Sequence, residues 1–367
     1  MARYFIVTGE SSGDRLGALL ATELLSLGYT VGGWGGNAMQ EAGVDIYQDI
    51  KELKVMGWID VLKQMPRFAW LLSNCKKHIT AFEADHIILV DYGSFNLRIA
   101  KWAKHQNLKV TFYSPPKVWA SRPKRIEKLK SYCDQIIVLF PFEQSYFSSK
   151  NVATEYFGHP FCYEISHHKP DPDFHKRHKL SSKAILTLLP GSRTAEVSKT
   201  LPIYLESIKE FLTGYQVCIA CANDMSPLIR KIVDQHRHPD INMINDDYYN
   251  LLSHSEMAIC TSGTASLEVA LFKIPQIVGY KTSSLNYQIA KRLILTKYIS
   301  LVNLISDKEV VKELIQSQVT KENISSNIIL LCKVDAISRI KKEYDGIISV
   351  LYNANCVKQS IAAIIRV

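Results

Sequence analysis

Short runs of apolar residues recur along the chain. Each ends in a turn and is followed by a stretch whose apolar positions return every three to four residues. The first run, "RYFIVTG", leads into "DRLGALLATELLSLG", and "TVGGWGG" follows as a short strand and loop. Then come "HIILVD", the helix "NLRIAKWAKHQ", the strand "KVTFYS", a proline-rich loop with Trp119, the helix "RPKRIEKLKSY" and the strand "QIIVLF". Strand-length runs without polar alternation belong to sheets buried on both faces, and their alternation with helices predicts a doubly wound α/β fold. Between them, "WIDVLKQMPRFAWLLSNCKKHITAF" is a long amphipathic stretch with Pro66 inside it, which predicts a break or kink there.

Residues 163–180, "YEISHHKPDPDFHKRHKL", break the pattern, being rich in His, Lys, Pro and Asp. This composition predicts a linker. A second series follows: "AILTLLPGS", a helix from about Glu196, "QVCIACA", a helix around 226–237, "INMIN", "MAICTSG", "ASLEVALFK" and "PQIVGY". From about residue 285 the chain reads as mostly helical.

With 367 residues, 47% of them apolar, the chain is long enough for two domains with separate cores. No run reaches the roughly 18 apolar residues of a membrane span. The apolar core of "MARYFIVTGESSGD" is too short for a signal peptide, so a cytoplasmic protein is expected. The net charge of +9 fits nucleic acid, anionic lipid, a phosphorylated ligand or simply a solvated surface. No interleaved aromatic and basic motif supports RNA. The eight cysteines are scattered; Cys218 and Cys221 fall on one strand with opposite facing, which predicts structural thiols.

In open α/β sheets ligands bind beyond the carboxyl ends of the strands, and four segments stand there. "TGESSGD", residues 8–14, joins the first strand to its helix. Gly9 and Gly13 permit close backbone approach, while Ser12 or Asp14 also suits a helix cap. "LLPGSRTAE", 188–196, places Gly191, Ser192 and Arg193 before a helix, where an arginine fork and a helix dipole suit phosphate, as N-capping would also explain. "CTSGTASLE", 260–268, places Ser262, Gly263 and Thr264 in a turn with Glu268 one turn into the helix, suited to ribose hydroxyls. Asp91 ends the apolar run in "LVDYGSFN", either as a proton acceptor or as a cap for a helix beginning near Asn96.

Other signals lead nowhere. "GGWGG" at 32–36 lacks the spacing of a dinucleotide loop, and no phosphate-binding P-loop or nucleophile elbow is present. The pair at Asp171 and Asp173 and the histidines at 167, 168, 175 and 178 lie in the expected linker, where no element fixes a metal-binding geometry.

"GESSGD", "KVMGWIDVL", "LVDYGSFN", "FPFE", "FGHP", "LLPGSRTAEV", "SGTASLE" and "AKRLILTKYISLVNLI" together, in this order, resemble the lipid-A-disaccharide synthases. The resemblance implies a GT-B architecture of two Rossmann-like domains facing across a cleft. On that pattern, 1–165 is the acceptor-binding domain, completed by a returning helix at about 345–367. Residues 166–180 are the linker and 181–344 the UDP-sugar domain. It implies an inverting, metal-independent transfer without a cofactor, from UDP-2,3-diacylglucosamine to 2,3-diacylglucosamine 1-phosphate (lipid X). Work at the inner face of the inner membrane is implied, and a homodimer is compatible with it. Asp91 would be the base. Gly191, Ser192, Arg193, Ser262, Gly263, Thr264, Glu268 and Asn303 would bind UDP, while Glu10, Ser12, Gly13, Asp14 and Asn96 would shape the acceptor side. The chain departs from the family pattern at Gly93-Ser94, at Pro115 and at Ser121, all bearing on the acceptor pocket.

Met56, Trp58, Met65, Phe68 and Trp70, with Lys63 and Arg67, combine aromatic and basic character on one amphipathic stretch, as suits a bilayer surface or, more plainly, a core-facing helix. The competing expectations are another GT-B enzyme, such as a UDP-N-acetylglucosamine epimerase or a transferase with a soluble acceptor, and a non-catalytic nucleotide-sugar or lipid binder.

Overall fold

The computed structural model describes residues 2–53, 65–221, 225–236 and 241–367. The chain divides into two units. The first is Met1–Tyr163 with Leu293–Leu295 and Leu351–Val367; the second is Glu164–Arg292 with Thr296–Val350.

The first unit alternates strand and helix: β1 (Arg3–Val7), α1 (Ser11–Ser26), β2 (Thr30–Gly35), α2 (Asn37–Glu41), β3 (Asp45–Asp49), α3 (Met65–Ala81), β4 (His86–Val90), α4 (Gly93–His105), β5 (Lys109–Tyr113), β6 (Gln135–Val138) and β7 (Glu155–Tyr156). The strands run parallel in the order β3-β2-β1-β4-β5-β6-β7. Chain direction across the sheet therefore reverses between β1 and β4, which opens a crevice at their carboxyl ends. Every residue of β4 is buried, and Phe5, Val7, Trp34, Ile87, Leu89 and Phe112 share one core. Helices on both faces explain why these strands carry no polar alternation. The final helix, Cys356–Ile365, packs on α1. His159 N–H donates to the Leu351 carbonyl at 2.9 Å, fixing where the returning segment joins.

The second unit repeats the plan with β8 (Ala184–Leu189), β9 (Tyr215–Cys221), β10 (Ile241–Asn245), β11 (Ser255–Thr261), β12 (Gln276–Tyr280) and β13 (Lys312–Ile315). Their order is β10-β9-β8-β11-β12-β13, so the reversal falls between β8 and β11. Cys218 and Cys221 are buried free thiols on β9, as expected of structural cysteines.

Two elements correct the sequence reading. The supposed linker is folded into the second unit: Phe174 is fully buried against Ile185, Ile244 and Leu251, and Arg177 and His178 both bond Asp247 at 2.7 Å. The stretch beyond residue 285 contains β13, a short edge strand, "KELI", too polar to show as an apolar run. Pro66 is the second residue of α3, and residues 54–64 before it lie outside the described residues.

Candidate active site

In the first unit the turns after β1 and β4 lie side by side because their strands are neighbours. Gly9 packs on the ring of Tyr92; a Cβ there would fall 2.2 Å from the ring, so only glycine lets the two turns meet. Asp91 and Tyr92 both adopt left-handed backbone, with φ of +50° and +48°. Two successive non-glycine residues in that region store strain, a feature that clusters at functional sites.

Asn96 holds the strained turn. It is fully buried, and its amide donates to the carbonyls of Asp91 at 2.8 Å and of Val7 and Val90 at 3.3 Å each. The backbone N–H of Asp91 donates to the Tyr113 carbonyl at 3.2 Å. α4 begins at Gly93, earlier than expected, and Tyr92 is its N-cap, so Asp91 does not occupy the capping position. Asn96 is likewise not a surface group of an acceptor pocket; it is a buried brace beneath the turn.

Asp14 is also spent inside the fold. Its carboxylate accepts from the backbone N–H groups of Gly36 (2.6 Å), Ala38 (3.0 Å) and Met39 (3.2 Å), and so caps α2, not its own helix. Gly13 is buried near the Val90 carbonyl, Ser12 is half-buried in the first turn of α1, and Glu10 is exposed as that helix's N-cap. Burial pushes the Tyr92 phenol up to about 12, with the Glu10 carboxylate adding to the effect.

In the second unit the turns after β8 and β11 are neighbours for the same reason. Gly191 has φ of +106°, and a Cβ there would meet Glu196 Oε2 at 2.7 Å. Arg193 is the N-cap of the helix Thr194–Ile208, with its side chain 62% exposed and 3.2 Å from Glu196 Oε1. Ser192 is exposed beside it. Burial raises the Tyr280 phenol, Glu196 adds to the rise and Arg193 opposes it. Gly263 caps the helix Thr264–Leu271, whose first-turn N–H groups are the orphan donors of any helix start.

Three residues of this unit that were expected to bind UDP make hydrogen bonds within the fold. Ser262 gives its hydroxyl proton to the Ile299 carbonyl at 2.8 Å. Asn303 is fully buried, donating to the Val311 carbonyl and to Glu313 and accepting from the N–H groups of Val310 and Val311, which uses its whole hydrogen-bonding capacity. Glu268 is buried and accepts from the Tyr248 and Tyr249 phenols at 3.3 Å each.

The model of the family described as lipid-A-disaccharide synthetase matches residues 4–365. This chain belongs to the lipid-A-disaccharide synthase family. It is 34% identical over 333 residues to the lipid-A-disaccharide synthase of Coxiella burnetii (strain Dugway 5J108-111), covering 89% of this chain and 88% of that one. In fold it is similar to the MurG of Acinetobacter baumannii (TM-score 0.57, 13% identity, all of both chains covered). It is also similar to the UDP-GlcNAc 2-epimerase of Neisseria meningitidis (TM-score 0.68, 12% identity, all of both chains covered). At these identities the last two share architecture alone: two parallel-sheet α/β units of the GT-B kind with a helical tail.

For a lipid-A-disaccharide synthase family member the apolar segment at 56–72 is of interest. Met56 and Trp58 lie outside the described residues, as does the side chain of Met65. α3 turns Leu71, Cys75 and Ile79 into the core and leaves Trp70 54% exposed. Phe68 is half-buried beneath the Arg98 guanidinium, 5.0 Å from the ring centroid. The helix is thus core-facing on one side and aromatic on another. Tyr92, Tyr248 and Tyr249 bond to residues expected at the site, Asn96 and Glu268, and a tyrosine beside a turn carries no sequence pattern of its own. Among the described residues no helix is long and apolar enough to cross a membrane.

Proposed function

We propose that this chain joins UDP-2,3-diacylglucosamine to the 6-hydroxyl of 2,3-diacylglucosamine 1-phosphate, releasing UDP and a β-1,6-linked disaccharide phosphate. The observation that carries the reading is a carboxylate, Asp91, held in a braced left-handed turn at the sheet reversal of a chain of this family. Asp91 takes the proton of the 6-hydroxyl as that oxygen attacks the anomeric carbon. The bond from that carbon to the diphosphate breaks on the opposite side, and the centre inverts.

The charge that develops on UDP is met by Arg193, Ser192 and the helix starts at Thr194 and Thr264. Glu268, which accepts from two phenols, accepts from the ribose hydroxyls as well. Ser262 and Asn303 act by fixing the backbone that carries these groups. Glu10 and Ser12 line the acceptor side, while Gly13 and Asp14 set its shape. Trp70 and Phe68 meet the acyl chains or the inner leaflet of the inner membrane, where the protein works from the cytoplasm.

The test is incubation with both substrates, followed by assay of UDP and disaccharide, with the anomeric configuration read by NMR. The reading expects stoichiometric UDP and a β-linked product; UDP release without the lipid acceptor, or an α-linked product, would count against it. For the membrane role, flotation with anionic liposomes should fall in Trp70→Ala; flotation indifferent to that change and to salt would remove it.

A further inference from the structure

We propose that Arg98 and Arg125, which meet at Ser94, with Arg122 beside Arg125, seat the phosphate monoester of the acylated acceptor; this rests on the transfer reading above. Ser94 lies in the first turn of α4, three residues after Asp91. Arg125 Nη2 donates to the Ser94 hydroxyl at 2.8 Å, and Arg98 Nη1 donates to the Ser94 carbonyl at 2.7 Å. Two guanidiniums from different elements therefore converge on one residue. Neither Arg98 nor Arg125 pairs with a carboxylate among the described residues.

Such a gathering of like charge is unfavourable on its own account. Burial, then Arg122, then Arg98 lower the Arg125 guanidinium from its ordinary value. The groups nonetheless stay protonated, because arginine does not lose its proton in proteins. A dianion set among them relieves the repulsion and takes up the forked donors in the geometry arginine offers to phosphate. Arg122, at φ of +54°, is held in the left-handed region as Asp91 is.

The location suits this acceptor. One sugar ring separates its attacking hydroxyl from its phosphate, and Ser94 follows the proposed base by three residues, in the first turn of the helix into which that base's turn leads. Apolar surface adjoins the cluster on both sides. Phe68 lies under Arg98. Leu295, 63% exposed, donates its N–H to the carbonyl of Ala120, two residues before Arg122, at 3.0 Å. Guanidiniums beside an exposed leucine and a half-buried phenylalanine match a phosphate that carries acyl chains on the same sugar.

The experiment compares wild type with Arg98→Gln, Arg125→Gln and the double variant. The ligands are 2,3-diacylglucosamine 1-phosphate, the same lipid lacking its phosphate, inorganic phosphate, and phosphatidylglycerol vesicles. Binding is measured by equilibrium dialysis or flotation, and turnover by UDP release. Wild type should favour the phosphorylated acceptor, and the variants should bind it about 10- to 100-fold more weakly. The ratio of kcat/KM between the two acceptors should collapse toward one, with KM for the UDP-sugar held. Undiminished binding of the phosphorylated acceptor by the double variant overturns the proposal. So does an equal loss for both acceptors, or a loss confined to the vesicles, which would assign the arginines to bilayer headgroups. If wild type releases no UDP with any acceptor, the transfer reading fails, and the binding arm still decides whether the seat exists.

Discussion

Asn96 donates to the carbonyl of Asp91 at 2.8 Å and, through the same nitrogen, to the last residues of β1 and β4. One buried amide thus fastens the proposed base to both strands that flank the sheet reversal. Left-handed backbone at two successive non-glycine residues costs about 1–3 kcal/mol each and persists only when its surroundings enforce it. Asn96→Ala should lower stability by about 1–3 kcal/mol. It should also lower kcat while sparing KM for the UDP-sugar. A thermal melt and steady-state kinetics together check this; lost stability with full kcat would mean that the brace does not serve the base.

Asp91→Asn keeps the size of the side chain and removes its basicity. A well-placed general base contributes about 10²–10⁴-fold, so turnover should fall in that range. UDP binding, assigned to the second unit, should hold its affinity in calorimetry. A variant turning over at the wild-type rate would take Asp91 out of the mechanism.

Arg193 projects from a helix start into solvent, with Glu196 as its neighbour. Arg193→Ala should weaken UDP by about tenfold, as expected for one charge-assisted contact to phosphate. Uridine, which has no diphosphate, should be affected far less. Equal losses for the two ligands would indicate a disturbed turn and not a missing charge.

Asp14 faces three backbone donors across the gap between α1 and α2. An asparagine there would present an amide to N–H groups and lose the charge assistance, so Asp14→Asn should cost nearly as much as Asp14→Ala, about 1.5–3 kcal/mol by denaturant titration. If Asn proves neutral, one accepting oxygen suffices and the charge is incidental.

Much of this architecture was legible because β1, β4, β8 and β11 are buried on both faces and must be continuously apolar. A break into Gly, Ser or Asp then marks each carboxyl end, which is how Asp91, Gly191 and Gly263 came to notice. β3, β7 and β13 escaped because short edge strands such as "DIYQD" and "KELI" keep polar residues. The inward turn of Asn96 and Asn303 was equally invisible, since a polar residue near a helix start reads the same whether it meets a ligand or a carbonyl. Asp14 looked like a cap for its own helix because the helix it serves begins 23 residues later. The arginines around Ser94 come from α4 and from the loop after β5, a convergence that only the folded sheet supplies.

Two histidines of the first unit make stability depend on pH. Burial lowers His86 to about 4 and His159 to about 3, and Lys117 and Arg15 add to the shift at His159. Geometry agrees at His159, whose Nδ1 accepts the Phe161 N–H at 3.3 Å and so carries no proton; His86 Nε2 meets the Thr111 hydroxyl at 2.8 Å. The unfolded chain protonates them near 6.5. Unfolding therefore takes up protons below that value, and the stability present above about pH 6.5 is lost as pH falls toward 4 and then 3. Between pH 6 and 5, where most carboxylates are still ionised, each histidine should steepen the loss toward about 1.4 kcal/mol per pH unit. Urea midpoints at pH 7, 6 and 5 test this. His159→Gln should be less stable than wild type at pH 7 yet lose less on acidification; a variant whose midpoint falls in parallel with wild type would show that His159 carries none of the dependence.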